Sequence, residues 1–211
     1  MRVTQLELGP MANLVYLIED LSSKECAAVD PGWDVQALLD RAEADGCRIT
    51  RILATHGHPD HVNAVGELSR RLDIPAFIHR ADAPALRGLP RVETVEDGRK
   101  IPVGNLVVEA LHTPGHTEGS QCFLVEGALL TGDTLFIGAC GRTDLPGSDP
   151  EKLYHSLRRL AGLPDGTVVW PGHDYAPEKS AAMGVERERN PYVRAALKMG
   201  AREFCRLVGG E

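Results

Sequence analysis

The chain has 211 residues, with 23 Lys plus Arg against 30 Asp plus Glu and a formal net charge of −7 at neutral pH. That length can bury one full core, so a single domain over residues 1–211 is the default expectation. An acidic chain without a basic stripe is a poor fit for nucleic acid or an anionic membrane, and no apolar run is long enough to span a bilayer.

The start, Met1-Arg2-Val3-Thr4-Gln5, has no signal-like form and leads into alternating strands predicted over 3–8 and 14–19, joined by a turn at 10–13. Cys26-Ala27-Ala28-Val29 reads as a short buried strand ending at Asp30-Pro31-Gly32. Asp30 is either a turn residue or a carboxylate that orients a ligand histidine. A helix follows over 35–44, with Asp34 as its N-cap and Gly46 beyond its end. Ile52-Leu53-Ala54 is a buried strand, and apolar residues at 62, 65, 68 and 72 predict a helix after it. Between the two stands the densest chemistry of the chain, His56-Gly57-His58-Pro59-Asp60-His61. In an extended loop His56 and His58, two apart, point the same way and can share one ion. Asp60 and His61 lie on the turn into the helix and can face a second. Such donors suit Zn, Fe or Mn better than Ca or Mg, and strand ends in layered α/β folds are where ligands bind.

Downstream, a strand over 76–79 and a short helix over 81–86 precede a polar, turn-rich stretch, 89–100, read as a surface connection. The strand 106–111 runs into His112-Thr113-Pro114-Gly115-His116, where His116, after the Pro-Gly turn, is the better ligand. His79 and His112 read as packing residues, as do Trp33 and Trp170. A hairpin over 122–130 turns at Glu126-Gly127 and ends in Thr131-Gly132-Asp133, where a carboxylate could bridge two ions. After a glycine-containing loop over 138–148, Asp149-Pro150 is a strong helix start. The strand 167–170 ends in Pro171-Gly172-His173-Asp174-Tyr175. The tail, 178–207, reads as one or two amphipathic helices interrupted at Asn190-Pro191, compatible with a homodimer. Four strand ends thus carry metal-type residues. Two sheets packed face to face with helices outside would line those ends along one edge. The five cysteines, at 26, 47, 122, 140 and 205, are odd in number and lack CxxC spacing. That pattern predicts free thiols in a reducing cytoplasm.

Taken together, His56 through His61, His116, Asp133 and His173 resemble the metallo-β-lactamase-fold superfamily over nearly the whole chain. The resemblance implies an α/β fold, a four-layer αββα sandwich with its metal site at one edge of the two sheets. It implies that His56, His58 and His116 hold one metal, that Asp60, His61 and His173 hold another, and that Asp133 bridges them. Gly132-Asp133-Thr134-Leu135-Phe136 with residues 141–147 looks like the compact glyoxalase II-like hydrolases. That branch implies two divalent metals (Zn, or Fe or Mn) and hydrolysis of an acylglutathione-like thioester or related ester by a metal-bound hydroxide. Asp60 would take up a proton during turnover. Cys140-Gly141-Arg142-Thr143-Asp144, Tyr154-His155-Ser156 and His173-Asp174-Tyr175 are also similar to persulfide dioxygenases. That alternative implies a single Fe(II) at His56, His116 and Asp133, with Cys140 and Arg142 at glutathione-contacting positions, Tyr175 beside the iron, and sulfite and glutathione as products. Either way the expected partner is a small thiol-derived molecule. Arg142 is either a bidentate anchor for a substrate carboxylate or the partner of Asp144 or Asp149. Larger glyoxalase II enzymes carry a C-terminal helical domain whose basic residues grip glutathione. Here the tail offers Lys198, Arg202 and Arg206, which read first as a solvated face. A non-enzymatic metal-binding module is the third class, and the complete ligand set argues against it.

Overall fold

All eight residues of the strand Asn13–Asp20 (β2) are buried, so both of its faces must be covered. They are covered differently. Leu14, Tyr16 and Ile18 join a core between two sheets, whereas Val15 and Leu17 join a core beneath helices. The side-chain period of two makes this division automatic. The computed structural model describes residues 1–209, so the last two residues of the expected 1–211 domain lie outside the described residues.

The first sheet has the order Arg2–Leu8 (β1), β2, Glu25–Val29 (β3), Arg48–Leu53 (β4), Ala76–His79 (β5) and Val92–Val95 (β6). Its first three strands are antiparallel and the rest parallel. The crossovers between parallel strands are helical: Val35–Asp45 (α1), then Pro59–Val62 (α2) and Val65–Leu72 (α3). The second sheet is built from Lys100–Val103 (β7), Leu106–His112 (β8), Gln121–Val125 (β9), Ala128–Gly132 (β10), Val168–Pro171 (β13) and Ala181–Ala182 (β14), in the order β14-β13-β10-β9-β8-β7. Leu135–Phe136 (β11) and Ala139–Cys140 (β12) form a separate small hairpin. The outer face of this second sheet is covered by Pro150–Ala161 (α4), Met183–Arg189 (α5), Pro191–Lys198 (α6) and Ala201–Gly209 (α7). The result is the four-layer αββα sandwich.

Direction matters more than order. The parallel strands β3 and β4 both run toward one edge, and so do β8, β10 and β13. Asp30, the His56–His61 loop, His116, Asp133 and His173 all follow the ends of those strands and therefore meet at that edge.

Local signals account for the elements. Asp34 caps α1 through Ala37 N, and Gly46 ends it in the left-handed region at φ 68°. Asp149 caps α4 through the backbone N–H groups of Glu151 and Lys152, with Pro150 at the first helical position.

Four expectations need correction. The helix expected over 62–72 is two helices, broken at Asn63-Ala64, where the Asn63 side chain turns aside to accept a hydrogen bond from Trp33 N at 2.8 Å. The stretch 89–100 contains a strand, β6, pairing with β5. It lies at the sheet edge with Glu93 and Thr94 exposed, so its polar composition hid it. The loop from 138 carries the strand β12, and the tail holds three helices rather than one or two. Asn190 ends α5 and caps α6. The buried residues of α6 and α7, among them Val193, Ala196 and Phe204, pack into the core over α4 within the chain itself. Among the described residues no helix is long and apolar enough to cross a membrane.

Candidate metal centre

The strand β4 delivers the chain into Thr55, and Pro59, at the first position of α2, starts the helix on which Asp60 and His61 sit. Three imidazoles converge first. His58 Nδ1 lies 3.1 Å from His56 Nε2 and 2.9 Å from His116 Nε2. A second group stands beside it. His61 Nε2 lies 3.1 Å from His173 Nε2, and Asp60 Oδ2 is 3.4 Å and 3.5 Å from those two nitrogens. Asp133 stands between the groups. One of its oxygens is 3.3 Å from His61 Nε2, and the other is 3.3 Å from His173 Nε2 and 3.6 Å from His116 Nε2. The structure therefore brings together all seven residues expected as ligands.

The imidazoles are held by their far nitrogens. His56 Nδ1 meets Thr55 Oγ1 at 3.1 Å, His61 Nδ1 meets Asp30 Oδ2 at 3.1 Å, His116 Nδ1 meets the Arg142 carbonyl at 3.0 Å, and His173 Nδ1 meets the Met11 carbonyl at 2.9 Å. Donating Nδ1–H outward leaves each Nε2 lone pair facing the centre. Asp30 is the orienting carboxylate of the two readings offered above. Beyond His61, it accepts from Thr55 N at 2.7 Å and from Thr55 Oγ1 at 2.6 Å.

The donor set fits divalent ions. Nitrogen lone pairs about 3 Å apart repel unless a cation sits among them. Asp133 Oδ1 is buried without a hydrogen-bond partner, which is costly for a carboxylate lacking a cation. The electrostatics agree. Burial and the neighbouring His61 push His56 well below the usual imidazole range, keeping its lone pair free. Burial and His116 lower His58 as well. Burial alone would also lower His61, but Asp133, Asp30 and Asp60 outweigh it and raise this imidazole to about 9. Burial works against ionisation of Asp133, yet His61, His173 and His56 hold its carboxyl well below the usual range. Against burial, Asp133 likewise raises His173, so the imidazoles of the second group hold protons more tightly than His56 and His58 do.

Of the residues singled out for substrate, Tyr175 and Arg142 are exposed, whereas Cys140 packs against the core beneath the helices. Tyr175 is exposed, its ring stacked on His173 at 4.9 Å and edge-on to Phe136 at 5.3 Å. The Arg142 guanidinium pairs with both oxygens of Asp144, each at 2.6 Å, and is exposed, while Asp149 is engaged in capping α4. Cys140 is half-buried on β12, and burial pushes its thiol up to about 12. His79 and His112 stack on each other at 3.9 Å, outside the ligand cluster. Trp170 packs edge-on against Tyr16 in the inter-sheet core.

Three residues that the sequence reading passed over belong to the site. Thr55 links His56 to Asp30. Asn13 donates to Asp60 Oδ2 at 2.9 Å while accepting from Trp33 Nε1 at 2.8 Å. Asp82 accepts from Gly57 N, Thr117 Oγ1 and Gly119 N at 2.8, 2.7 and 2.9 Å, tying the His56 loop to the His116 loop. In sequence these are a strand-end threonine, a turn residue and a residue inside the short helix expected over 81–86, which begins only at Ala83, so composition offered no signal. Gly172 has a readable cause only in three dimensions: a Cβ there would lie 2.4 Å from Asp133 Oδ1.

Known proteins share this architecture. The chain is 32% identical to a hydroxyacylglutathione hydrolase of Pseudomonas entomophila, over 87% of this chain and 83% of that one. It superposes on the crystal structure of ETHE1 from Myxococcus xanthus with a TM-score of 0.89 and 31% identity, covering 99% of this chain and 90% of the other. The protein TTHA1623, solved in a di-iron-bound form, matches with a TM-score of 0.79 and 35% identity over 90% of this chain and all of its own length, 100%. Residues 8–173 match the metallo-β-lactamase superfamily, and with the sandwich and its edge-on histidine cluster in agreement, the chain belongs to that superfamily.

Proposed function

We propose that this protein is a dinuclear metal-dependent hydrolase of the glyoxalase II-like type, acting on a thioester or related ester of a small thiol. One observation carries the reading: two three-residue donor groups, His56/His58/His116 and Asp60/His61/His173, each within ligand range, with Asp133 between them. The identity shared with a hydroxyacylglutathione hydrolase supports an acylglutathione-like substrate. A divalent ion held by these residues would polarise a carbonyl and supply, by lowering the pKa of water to about 7, a nucleophile at neutral pH.

The chain's own residues supply the rest. Asp60, steadied by Asn13, takes up a proton during turnover. Asp133 and Asp60 together contribute two negative charges, so two dications leave a net positive centre suited to an anionic substrate and to the oxyanion formed on attack. Arg142 spends Nε and Nη2 on Asp144, which leaves its exposed Nη1 edge open to a substrate carboxylate.

The second reading, a mononuclear Fe(II) persulfide dioxygenase at His56, His116 and Asp133, is favoured by Tyr175, whose ring stands over His173 at the open rim. The two are separated by protein reconstituted anaerobically with Zn or with Fe(II). Hydrolysis of S-lactoylglutathione with two metals per chain, falling in His58→Ala by more than the roughly 100-fold typical of an outer ligand partner, is the expected result. Iron-dependent oxygen uptake with glutathione persulfide, undiminished in His58→Ala and lost in Asp133→Ala, would replace the hydrolase with the dioxygenase.

A further inference from the structure

Cys26 lies on β3, buried, and Cys47 stands in the short connection between α1 and β4. Their Sγ atoms are 3.1 Å apart. Both backbones are held independently of that contact. Cys26 is fixed in the sheet by its pairing in register with Ile49. Cys47 is fixed by the end of α1, where its N–H donates to Ala42 O at 2.9 Å after Gly46 takes the left-handed turn. The fold therefore presents two sulfurs to each other without needing a bond between them. The odd cysteine count and the lack of CxxC spacing conceal this pair, because the two residues meet only through a parallel strand crossover. Cys122 makes a different contact, with Thr113.

We propose that Cys26 and Cys47 are a disulfide-forming site, oxidised by low-molecular-weight disulfides of the glutathione type. Cys47, half-buried and the more accessible of the two, attacks first as its thiolate. A bond forms between Cys47 Sγ and one sulfur of the external disulfide, and the external S–S bond breaks to release one thiolate. Cys26, as its thiolate, then attacks Cys47 Sγ, and the second external thiolate leaves. Two protein thiols become one disulfide, one external disulfide becomes two thiols, and the two protons given up by the protein are taken by the released thiolates. Burial raises both thiols, and the carboxylates of Glu19 and Asp45 nearby add to it. The exchange is accordingly slow in both directions, the behaviour of a structural staple rather than of a catalytic thiol pair.

The bond would close the segment from β3 to β4 at the ends of these strands remote from the metal. Both strands run from it into the site, β3 to Asp30 and β4 to His56. Closing that loop removes conformations from the unfolded chain. None of this depends on which metal reaction the protein performs.

The test uses the full chain equilibrated with oxidised and reduced glutathione at a series of ratios, quenched in acid, alkylated and digested. The expected result is a Cys26–Cys47 cross-linked peptide with the other three cysteines alkylated, and a melting temperature higher by on the order of 5–10 °C in the oxidised protein. Cys47→Ala should show neither the cross-link nor the shift under the same mixtures. Alkylation of both residues at the most oxidising ratio, or a glutathione adduct on Cys47 that never resolves, would overturn the site. A cross-link that leaves the melting temperature unchanged would overturn the staple.

Discussion

Asp30 occupies an unusual backbone position, φ 48°, to aim one carboxylate at two neighbours. One oxygen takes the Thr55 N–H, and the other takes the Thr55 hydroxyl and faces His61 Nδ1. Thr55 in turn meets His56, so a single buried acid orients one candidate ligand from each donor group. Asp30→Asn keeps the shape and tolerates the left-handed backbone, but its amide nitrogen cannot accept where a carboxylate oxygen did. The expected outcome is a loss of roughly 10–100-fold in metal affinity with the fold retained, read by competition with a chromophoric chelator beside circular dichroism. The residue scale is also where sequence reading was strongest and weakest at once. His56, His58, Asp60 and His61 announce themselves because chemistry and spacing coincide within six positions. Thr55, Asn13 and Asp82 do not, because a hydrogen-bonding partner needs no distinctive residue type and is defined only by what lies across from it.

Asp149 and Asn190 are both helix caps, but they do not contribute equally. Asp149 Oδ1 accepts from two N–H groups of α4 at a solvent-facing end. Asn190 Oδ1 accepts from Tyr192 N and Val193 N, while its amide donates to the carbonyls of Phe136 and Ala139 and to Glu186 Oε2, all with the side chain fully buried. It thereby joins α5, α6 and the β11–β12 hairpin. Asp149→Ala should cost about 1 kcal/mol, the usual worth of an exposed cap. Asn190→Ala should cost about 2–4 kcal/mol, because it removes a cap and also orphans buried carbonyls. Urea denaturation of the two variants checks the order, and equal costs would count against the buried junction. At this scale the Asn190-Pro191 break was legible, since both residue types punctuate helices. The edge strand β6 was not, since an edge half-exposed to water carries the polar residues of a loop.

At the scale of the molecule, β2 fastens the two sheets together at both of its ends. At the metal edge, Leu14 N donates to Gly172 O and Asp174 N to Ala12 O, each at 2.8 Å. At the far edge, Asp20 accepts from Asn105 N at 2.7 Å and from the Asn105 amide at 2.9 Å, across to the β7–β8 turn. The hydrogen bond from Asn105 N, with those from Ser22 and Ser23, holds the Asp20 carboxyl well below the usual carboxylate range. A folded-state value below the unfolded one means this stabilisation is complete above the unfolded pKa, near 3.9, and is lost as the pH falls through the folded one. Asp20→Asn should therefore be less stable than the native chain at pH 7, with the difference shrinking below about pH 4. Denaturation midpoints at pH 7, 5, 4 and 3 test the sign, and a gap that widens toward acid would refute it. By itself, the sequence determined the layered α/β class, most of the strands and caps, and the identities of the seven candidate ligands, because these follow from local periodicity, turn chemistry and side-chain type. Only the tertiary structure decided that Asp133 stands between two donor groups, that Asp30 serves both, and that Cys26 meets Cys47. Each of those relations joins residues on, or just beyond the ends of, different strands, and distances between strands are set by sheet register and packing, which no local pattern encodes.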